Sequence, residues 1–459
     1  MTSPGTSSHV LNPGGTFQGS LVAAQQPDEE DAARSSEYQP DYPARVVFPA
    51  ITYARVDDPF GEATRCERPA AIVDASYSAP PSNALQLSVT MPADAQLGDD
   101  LPVVVFVHGG GFDSGTRDEP WFDGAGFAAD EIITVSVSYR LGLSGFLPFH
   151  DDLPNHYRGI DDCNTALDWV QKNIEDFGGD PTNVTLMGQS AGGGIVLWLA
   201  RRDHFRGTFR RAWAMSPGLP RVPFAKRKWL LRAIINGPLT RAKLRSLGER
   251  KLSEAYQKFD KRTATDLTVG PAPFDPAELA DIPLVVTVTG QEFHNHGSAV
   301  KLDEASWSRV IRAPFARHMG GRGYKTGSRR FYGQLLTDSL FTKNVALTAE
   351  SVPNTWVLRY QGNDAHPAYH CCDIPWVFGS YPLIAYTHWD LLFDPPQALL
   401  DECHQRAVSF ARGEEPAWPR YGEGRLVLDV PIDGEPARVV ADPFAEVRRS
   451  FRVTGGARR

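Results

Sequence analysis

The chain has 459 residues, of which 42% are hydrophobic and 22% are charged, and its formal net charge is −8. This composition is that of an ordinary globular protein, and the sequence has no apolar run long enough to span a bilayer. The first residues lack the features of a signal peptide, and the five cysteines show no disulfide spacing, so we expect a soluble, cytoplasmic protein.

The predicted elements begin with an extended N-terminal arm over residues 1–40, which is rich in Pro, Gly, Ser and acidic residues. Continuous apolar runs stopped by glycine or turn residues then predict strands buried on both faces. These runs cover residues 85–93, 101–112, 132–142, 183–188, 281–290 and 355–360. Helical patterns over 162–180 and 190–202 alternate with them, which indicates an α/β domain.

A basic segment follows the second of these helices. Residues 201–262 carry eighteen Lys and Arg against four acidic residues, so the segment has a charge of +14 and the remainder −22. Helical periodicity over about 219–281 predicts an insertion above the sheet. The charge fits either a solvated helical surface or a positively charged lid that steers anionic substrates. The acidic remainder argues against a nucleic-acid partner.

Two glycine-rich motifs indicate nucleophilic catalysis. Residues 188–192 read Gly-Gln-Ser-Ala-Gly between a predicted strand and a predicted helix, the context of a nucleophile elbow with Ser190 at the turn. Residues 108–112 read His-Gly-Gly-Gly-Phe at the end of an earlier strand, where glycines leave backbone N–H groups free to face an oxyanion. A phosphate-binding loop is disfavoured because no Gly-Lys-Ser/Thr ending follows.

The two motifs and their flanking segments resemble the type-B carboxylesterase/lipase family, the cholinesterase-like branch of the α/β-hydrolase fold. The likeness is carried by residues 101–115 and 135–147, and most of all by 166–193. It implies a central, mostly parallel twisted sheet with helices on both faces and a helical lid-like insertion at about 219–281. It also implies a single catalytic domain over residues 41–459.

The resemblance further implies a catalytic triad in the chain order Ser, Glu, His. Ser190 is the nucleophile, and "TVTGQEFHNHG" (287–297) matches the family's segment around the acid, which assigns Glu292. The family histidine precedes a Gly-x-Asp/Glu-Ile pattern, so the register of "DIPWVF" (373–378) assigns His370. Cys371 stands where that family usually has glycine.

The same transfer assigns the groups around the triad. Three backbone N–H groups would hold the oxyanion, those of Gly110, Gly111 and Ala191. Phe112 and Phe293 each adjoin a motif, and we predict that they line the substrate pocket. Aromatic residues after a nucleophile helix belong more often to the core, which is how we interpret Trp198, Trp213 and Trp229.

The histidines and cysteines near the triad also admit a metal-site interpretation. His366, His370, Cys371 and Cys372 lie close in sequence, but adjacent cysteines lack the two-residue spacer of a tetrahedral site. We therefore interpret His366 as a loop residue, and His294 and His296 as surface or packing residues. His108 is expected to brace the oxyanion loop.

The predicted function is that of a serine hydrolase that cleaves carboxylic esters, with carbamates and amides as further candidates. It proceeds through an acyl-enzyme and needs no cofactor or metal. The expected partner is a small-molecule ester, with neither nucleic acid nor membrane. The alternative is a non-catalytic, esterase-like binding protein, a class in which a triad residue is generally lost.

Overall fold

A single sheet forms the centre of the protein. The structure, a computed structural model, describes residues 9–24, 42–76, 83–263, 265–380 and 395–451. Within these ranges the sheet has fourteen strands. In chain order they are β1 (His9–Leu11), β2 (Phe17–Val22), β3 (Arg45–Arg55), β4 (Thr64–Arg65), β5 (Val73–Asp74), β6 (Ala84–Pro92), β7 (Leu101–Val107), β8 (Ile133–Val137), β9 (Gly179–Gln189), β10 (Arg211–Met215), β11 (Leu284–Thr289), β12 (Thr355–Gln361), β13 (Leu426–Pro431) and β14 (Arg438–Ala441).

The central strands of the sheet are parallel. The spatial order is β1, β2, β3, β6, β8, β7, β9, β10, β11, β12, β13 and β14, with β4 beside β3 and β5 beside β2. All neighbouring pairs from β8 to β13 are parallel. The antiparallel pairs of the main order lie toward the two edges. The predicted parallel α/β sheet is therefore confirmed.

Helices pack on both faces of this sheet. They are α1 (Ala125–Ala129), α2 (Gly142–Phe146), α3 (Arg158–Asn173), α4 (Ala191–Leu199), α5 (Phe224–Ile235), α6 (Arg241–Asp260), α7 (Gly297–Glu304), α8 (Arg312–His318), α9 (Phe331–Thr337), α10 (Lys343–Ser351), α11 (Ile374–Phe378), α12 (Gln397–Arg412) and α13 (Ala445–Phe451). Short 3-10 turns cover Pro120–Phe122, Ile174–Phe177, Pro276–Glu278 and Ser306–Ile311, and a π turn covers Asp338–Thr342.

Strand β7 shows why both faces must be covered. Val103, Val105 and Val107 belong to one hydrophobic cluster, which also contains the inner faces of α3 and α4. The alternate residues Val104 and Phe106 belong to a second cluster, which contains the inner faces of α11 and α12. Successive side chains of a strand point to opposite faces, so a continuous apolar strand has to be buried on both.

The N-terminal segment and the insertion extend this core. Residues 9–22, within the predicted arm, form the two outermost strands beside β3. The basic insertion between β10 and β11 contains α5 and α6, whose Phe224 and Phe259 rings pack edge to face at 6.0 Å. Because β9, β10 and β11 are parallel, the insertion leaves the sheet at the edge where Ser190 lies.

Three local features differ from the sequence-based expectation. Strand β10 lies within the basic segment, where the charged residues around it hide its short apolar run. Helix α3 begins at Arg158, four residues before the predicted start. Trp198 and Trp213 are buried as expected, but the interpretation of Trp229 as a core residue is wrong, because 69% of its surface is exposed.

A buried ion pair joins the loop after β8 to helix α3. The Arg140 guanidinium donates two hydrogen bonds to the Asp162 carboxylate, at 2.8 and 2.7 Å, and the Arg140 backbone N–H donates a third at 3.0 Å. The Arg140 side chain is 7% exposed and that of Asp162 is fully buried. Loss of one partner would leave the other charge buried without compensation.

We expect Asp162→Asn to lower the free energy of unfolding by about 3–5 kcal/mol, because it leaves the Arg140 charge unpaired in the interior. Urea denaturation followed by circular dichroism measures the change. The matched control is Glu254→Gln, which breaks the exposed pair with Arg250 and should cost less than about 1 kcal/mol. Equal losses in the two variants would contradict the assignment.

Candidate active site

A tight turn carries Ser190 between β9 and α4. The backbone of Ser190 has φ 56° and ψ −120°, a conformation that non-glycine residues rarely adopt. A Cβ atom on Gly188 would lie 2.6 Å from the Gly192 carbonyl oxygen, and one on Gly192 would lie 2.0 Å from the Val107 oxygen. Only glycine fits at these two positions, which explains the Gly-x-Ser-x-Gly spacing.

Backbone hydrogen bonds fix the strained turn. The Ser190 N–H donates to the Met215 carbonyl at the end of β10, at 2.9 Å. The Ser190 carbonyl accepts from the N–H groups of Gly194 and Gly218, each at 2.9 Å. The neighbouring strand β10 therefore holds the turn as firmly as the helix behind it.

Three side chains that are distant in the sequence meet at this turn. The Ser190 Oγ lies 2.9 Å from His370 Nε2. The other ring nitrogen of His370, Nδ1, is hydrogen-bonded to the Glu292 carboxylate, and the His370 N–H donates to the Glu292 carbonyl at 3.1 Å. The structure thus brings together the three residues that the sequence assigned to a triad.

The Glu292 carboxylate is completely buried and held from two further directions. Its Oε1 accepts a hydrogen bond of 2.6 Å from the Ser216 hydroxyl and one of 2.8 Å from the Thr289 N–H. Sequence reasoning missed Ser216. Its position before Pro217-Gly218, directly after β10, is the signal that it stands in a turn at the carboxyl edge of the sheet.

The surroundings of His370 favour its protonated form. Burial opposes protonation, but the Cys371 sulfur and the Glu292 carboxylate outweigh it and raise the pKa of His370 well above its usual value. The ring of Phe341 lies 4.6 Å from the imidazole, and that of Phe293 lies 5.5 Å away and perpendicular to it. Phe293 was predicted near the site, whereas Phe341, from the π turn, was missed.

A second carboxyl group lies behind the triad. Asp373 is fully buried at the start of α11, and the Thr287 hydroxyl approaches it at 3.5 Å. Burial, followed by the negative charge of Glu292, raises the pKa of Asp373 to about 7. Burial therefore favours the neutral form of Asp373, which limits its repulsion of Glu292.

The glycine loop after β7 lies directly over the nucleophile. Gly110 and Gly111 have φ values of 105° and 62°, and a Cβ on Gly109 would lie 3.1 Å from the Ser190 Cβ. Among the described residues, no acceptor takes the N–H of Gly110 or Gly111. Ala191 is the first residue of α4, where the N–H has no partner within the helix.

The Gln189 side chain occupies the space between this loop and His370. Its Nε2 lies 3.3 Å from His370 Nε2, and its Oε1 would be 2.7 Å from a Cβ on Gly109. Gln189 is 2% exposed. A neutral carboxamide thus contacts the same imidazole nitrogen as Ser190, a role that the sequence did not reveal because the residue is the variable position of the motif.

The first and last residues of the His-Gly-Gly-Gly-Phe motif, His108 and Phe112, are both buried. His108 stacks on Tyr139 at 4.5 Å, its Nδ1 bonds to the Gly109 carbonyl at 2.8 Å, and burial lowers its pKa to about 4, as expected for a brace. Phe112 was predicted to line the pocket. Instead its ring is fully buried in the core against Phe146, because a φ of 70° turns the residue inward.

The remaining histidines and cysteines lie apart from the nucleophile. His294 bonds to Gln334 at 3.0 Å, and His296 stacks on Phe293 at 5.2 Å. The His366 N–H donates to the Asn363 side chain within its own loop. Cys371 and Cys372 are free thiols. In the described part of the chain, no group of three His, Cys, Asp or Glu residues is arranged to hold a metal ion.

Comparison with known sequences shows that this chain is similar to carboxylesterases. The model of the carboxylesterase family matches residues 61–232. The para-nitrobenzyl esterase of Bacillus subtilis (strain 168) is 28% identical over 440 residues, which cover 85% of this chain and 88% of that protein. The cocaine esterase of Oryctolagus cuniculus is 39% identical over 186 residues, which cover 37% of this chain and 35% of that protein.

Solved structures show the same fold over nearly the whole chain. The juvenile hormone esterase of Manduca sexta has a TM-score of 0.72 at 21% identity, covering 97% of this chain and 98% of that one. A PNB esterase has a TM-score of 0.71 at 24% identity, covering 97% of this chain and 100% of that one. The predicted α/β-hydrolase fold is confirmed.

We expect Gln189→Glu to raise the pKa of His370 further, because it places a carboxylate beside Nε2. Histidine-selective NMR titration of the folded protein measures this pKa. The matched control Gln257→Glu adds the same charge on the exposed face of α6 and should leave the His370 titration unchanged. An unshifted His370 titration in Gln189→Glu would show that the contact does not persist in solution.

Proposed function

We propose that this chain is an ester-cleaving serine hydrolase of the carboxylesterase kind, and that Ser190, His370 and Glu292 are its catalytic triad. The observation that carries the proposal is the continuous contact from Ser190 Oγ through the imidazole to the Glu292 carboxylate. A nucleophile, a base and a group that orients the base are the three parts that this chemistry needs.

In the first half of the reaction, His370 Nε2 takes the Ser190 proton while Oγ attacks the carbonyl carbon of the ester. The carbonyl π electrons move to oxygen and form a tetrahedral oxyanion. The imidazolium then gives its proton to the alcohol oxygen as the bond from carbon to that oxygen breaks. The acyl group stays on Ser190, and the alcohol leaves.

In the second half of the reaction, water attacks the acyl-enzyme through the same proton transfers. His370 takes a proton from water, the hydroxide attacks the acyl carbon, and the proton returns to Ser190 as the acid leaves. Glu292 keeps the proton of the imidazole on Nδ1, so that Nε2 has a free lone pair toward Ser190. Its own contacts with Ser216 and Thr289 hold that orientation.

The oxyanion is expected to bind the N–H groups of Gly110, Gly111 and Ala191. The left-handed backbone of the two glycines and the first position of α4 support this proposal. Donors that are already oriented cost no rearrangement when the charge forms, which is why such groups contribute strongly to the rate. Phe293, beside His370, is proposed to line the substrate pocket.

Substrate preference among esters, carbamates and amides is best read from relative kcat/KM values over a panel of aryl and alkyl substrates. We also propose that residues 41–459 form one catalytic domain and that the protein works in the cytoplasm, which five free thiols support. In the part of the chain that the structure describes, no helix is both long and apolar enough to cross a bilayer.

The proposal is tested by covalent labelling. An organophosphonate probe should modify Ser190 of the folded wild-type protein, with the phosphorus–oxygen bond identified by mass spectrometry of the peptide. Ser190→Ala should not react. A folded wild-type protein that is neither labelled nor active on any ester of the panel would leave the esterase-like binding protein as the function.

Two histidine variants separate the base from its neighbour. We expect His370→Ala to lower kcat/KM by about 10⁴- to 10⁶-fold, because Ser190 loses its proton acceptor. His366→Ala, on the same loop, should retain kcat/KM within about threefold, because it is the His370 imidazole that contacts both Ser190 and Glu292. Comparable losses in the two variants would refute the assignment of His370 as the base.

A further inference from the structure

The outer face of helix α5 combines positive charge with an exposed tryptophan. Trp229 is 69% exposed, and the exposed residues Lys226, Lys228 and Arg232 surround it along the helix. The opposite face carries the buried Phe224, Leu231 and Ile235. These buried residues anchor the helix, and Trp229 takes no part in that anchor.

The cations on this face have no acidic partners. Lys226, Lys228 and Arg232 form no ion pair or side-chain hydrogen bond with any residue in the described ranges. The contact between Phe224 and Phe259 places the end of α6 next to the start of α5. The exposed side chains at that end add further positive charge, and they are Lys258, Lys261 and Arg262.

A second patch of the same kind lies in the insertion after β11. The turn Ser306–Ile311 exposes 61% of Trp307 and 81% of Val310 on either side of the exposed Arg309. Residues 297–330 carry eight Lys and Arg against two acidic residues. Of the nine tryptophans in the described ranges, seven are buried, and the two exposed ones stand in these two basic insertions.

Both patches connect to the edge of the sheet that carries the triad. On the first side, Arg227 of α5 donates to the Leu267 carbonyl at 2.8 Å, and Leu267 packs against Gly111 and Gly218. On the second side, the Ser308 carbonyl accepts from Tyr332, whose neighbour Gly333 packs against His294. The insertions that bear the patches leave from the carboxyl ends of the parallel strands β10 and β11.

We propose that these two patches, the docking face, bind the surface of an anionic phospholipid bilayer, with Trp229 and Trp307 at the level of the headgroups. This binding is reversible and superficial, it is independent of catalysis, and it revises the sequence-based expectation that the protein has no membrane partner. The tryptophans supply the amphipathic rings that favour the interface, and the cations supply attraction to acidic headgroups.

Charge screening allows this contact despite the acidic body of the protein. The basic segment 201–262, which includes α5 and α6, carries +14, and the rest of the chain carries −22. At physiological ionic strength charges interact over only about 8 Å, so a flat membrane senses the nearest face and not the net charge. A nucleic acid fits less well, because each patch exposes a single tryptophan, whereas stacking on successive bases needs several aromatic rings in one groove.

The experiment is co-sedimentation of the full chain with vesicles of phosphatidylcholine alone or with about 30% phosphatidylglycerol. We expect wild-type protein to bind the anionic vesicles at about 50 mM NaCl, to bind neutral vesicles at least about tenfold more weakly, and to dissociate at about 500 mM NaCl. Lys228→Glu/Arg232→Glu should lower the partition coefficient to anionic vesicles at least about tenfold.

The matched control is Lys172→Glu/Arg210→Glu, which makes the same change in charge at exposed residues preceding β9 and β10, at the opposite edge of the sheet. Its partition coefficient should stay within about twofold of wild type. Equal binding of wild-type protein to both kinds of vesicle, or equal losses in the two double variants, would overturn the proposal. Salt-sensitive binding to duplex DNA without binding to vesicles would also overturn it.

Tryptophan fluorescence provides a second measurement, which tests the role of the two exposed tryptophans separately from that of the charges. Anionic vesicles should shift the fluorescence of wild-type protein to shorter wavelength, and Trp229→Ala/Trp307→Ala should remove this shift and weaken binding several-fold. Circular dichroism and activity on a water-soluble ester verify that each variant is folded. A shift that is unchanged in the tryptophan variant would show that another surface meets the lipid.

Discussion

The close approach of three backbone segments around Ser190 is the constraint on which the rest of the site depends. Gly192 brings α4 within contact of the Val107 carbonyl, so the nucleophile helix lies directly against the end of β7. The strained φ of 56° at Ser190 then points its side chain above the sheet. Without that approach, neither the glycine loop nor the imidazole would reach the same oxygen atom.

Four neighbouring parallel strands each add one part of the site. Ser190 directly follows β9 and Ser216 directly follows β10, while Glu292 lies in the turn after β11 and His370 in the loop after β12. The carboxyl ends of parallel strands lie at one edge, so residues up to 180 positions apart meet without any long excursion of the chain. The Ser216 hydroxyl donates a hydrogen bond to the Glu292 carboxylate, so the end of β10 also supports the acid.

Sequence reasoning reached the parts of the protein that obey local rules. The apolar runs of β7 and β9 and the glycines of the elbow are visible because burial and backbone strain restrict which residues can stand there. Family resemblance supplied Glu292 and His370, whose positions depend on insertions of unequal length. Gln189, Ser216 and Phe341 could not be predicted from the sequence. Ser216 and Phe341 contact residues that are distant in the sequence, and Gln189 stands at the position that the motif leaves open.

The same limit explains the two residues whose environments were misjudged. Phe112 follows the oxyanion glycines, which suggested a pocket, but the left-handed backbone at that residue directs its ring to Phe146. Trp229 follows the end of the nucleophile helix by thirty residues, in a region whose helical pattern is weak. Its large apolar side chain suggested the core, and the direction in which α5 faces is set by Phe224, Leu231 and Ile235 instead.

The charge balance around His370 depends on two nearby residues, Gln189 and Asp373, adding little negative charge. The Cys371 sulfur and the Glu292 carboxylate already raise the pKa of the imidazole, and every further negative charge nearby would keep more of the base protonated and unable to accept a proton from Ser190. Gln189 contributes a carboxamide rather than a carboxylate beside Nε2, and burial shifts Asp373 toward its neutral form by raising its pKa to about 7. The Glu292 carboxylate therefore orients the imidazole, while Gln189 and Asp373 leave a larger fraction of the base available.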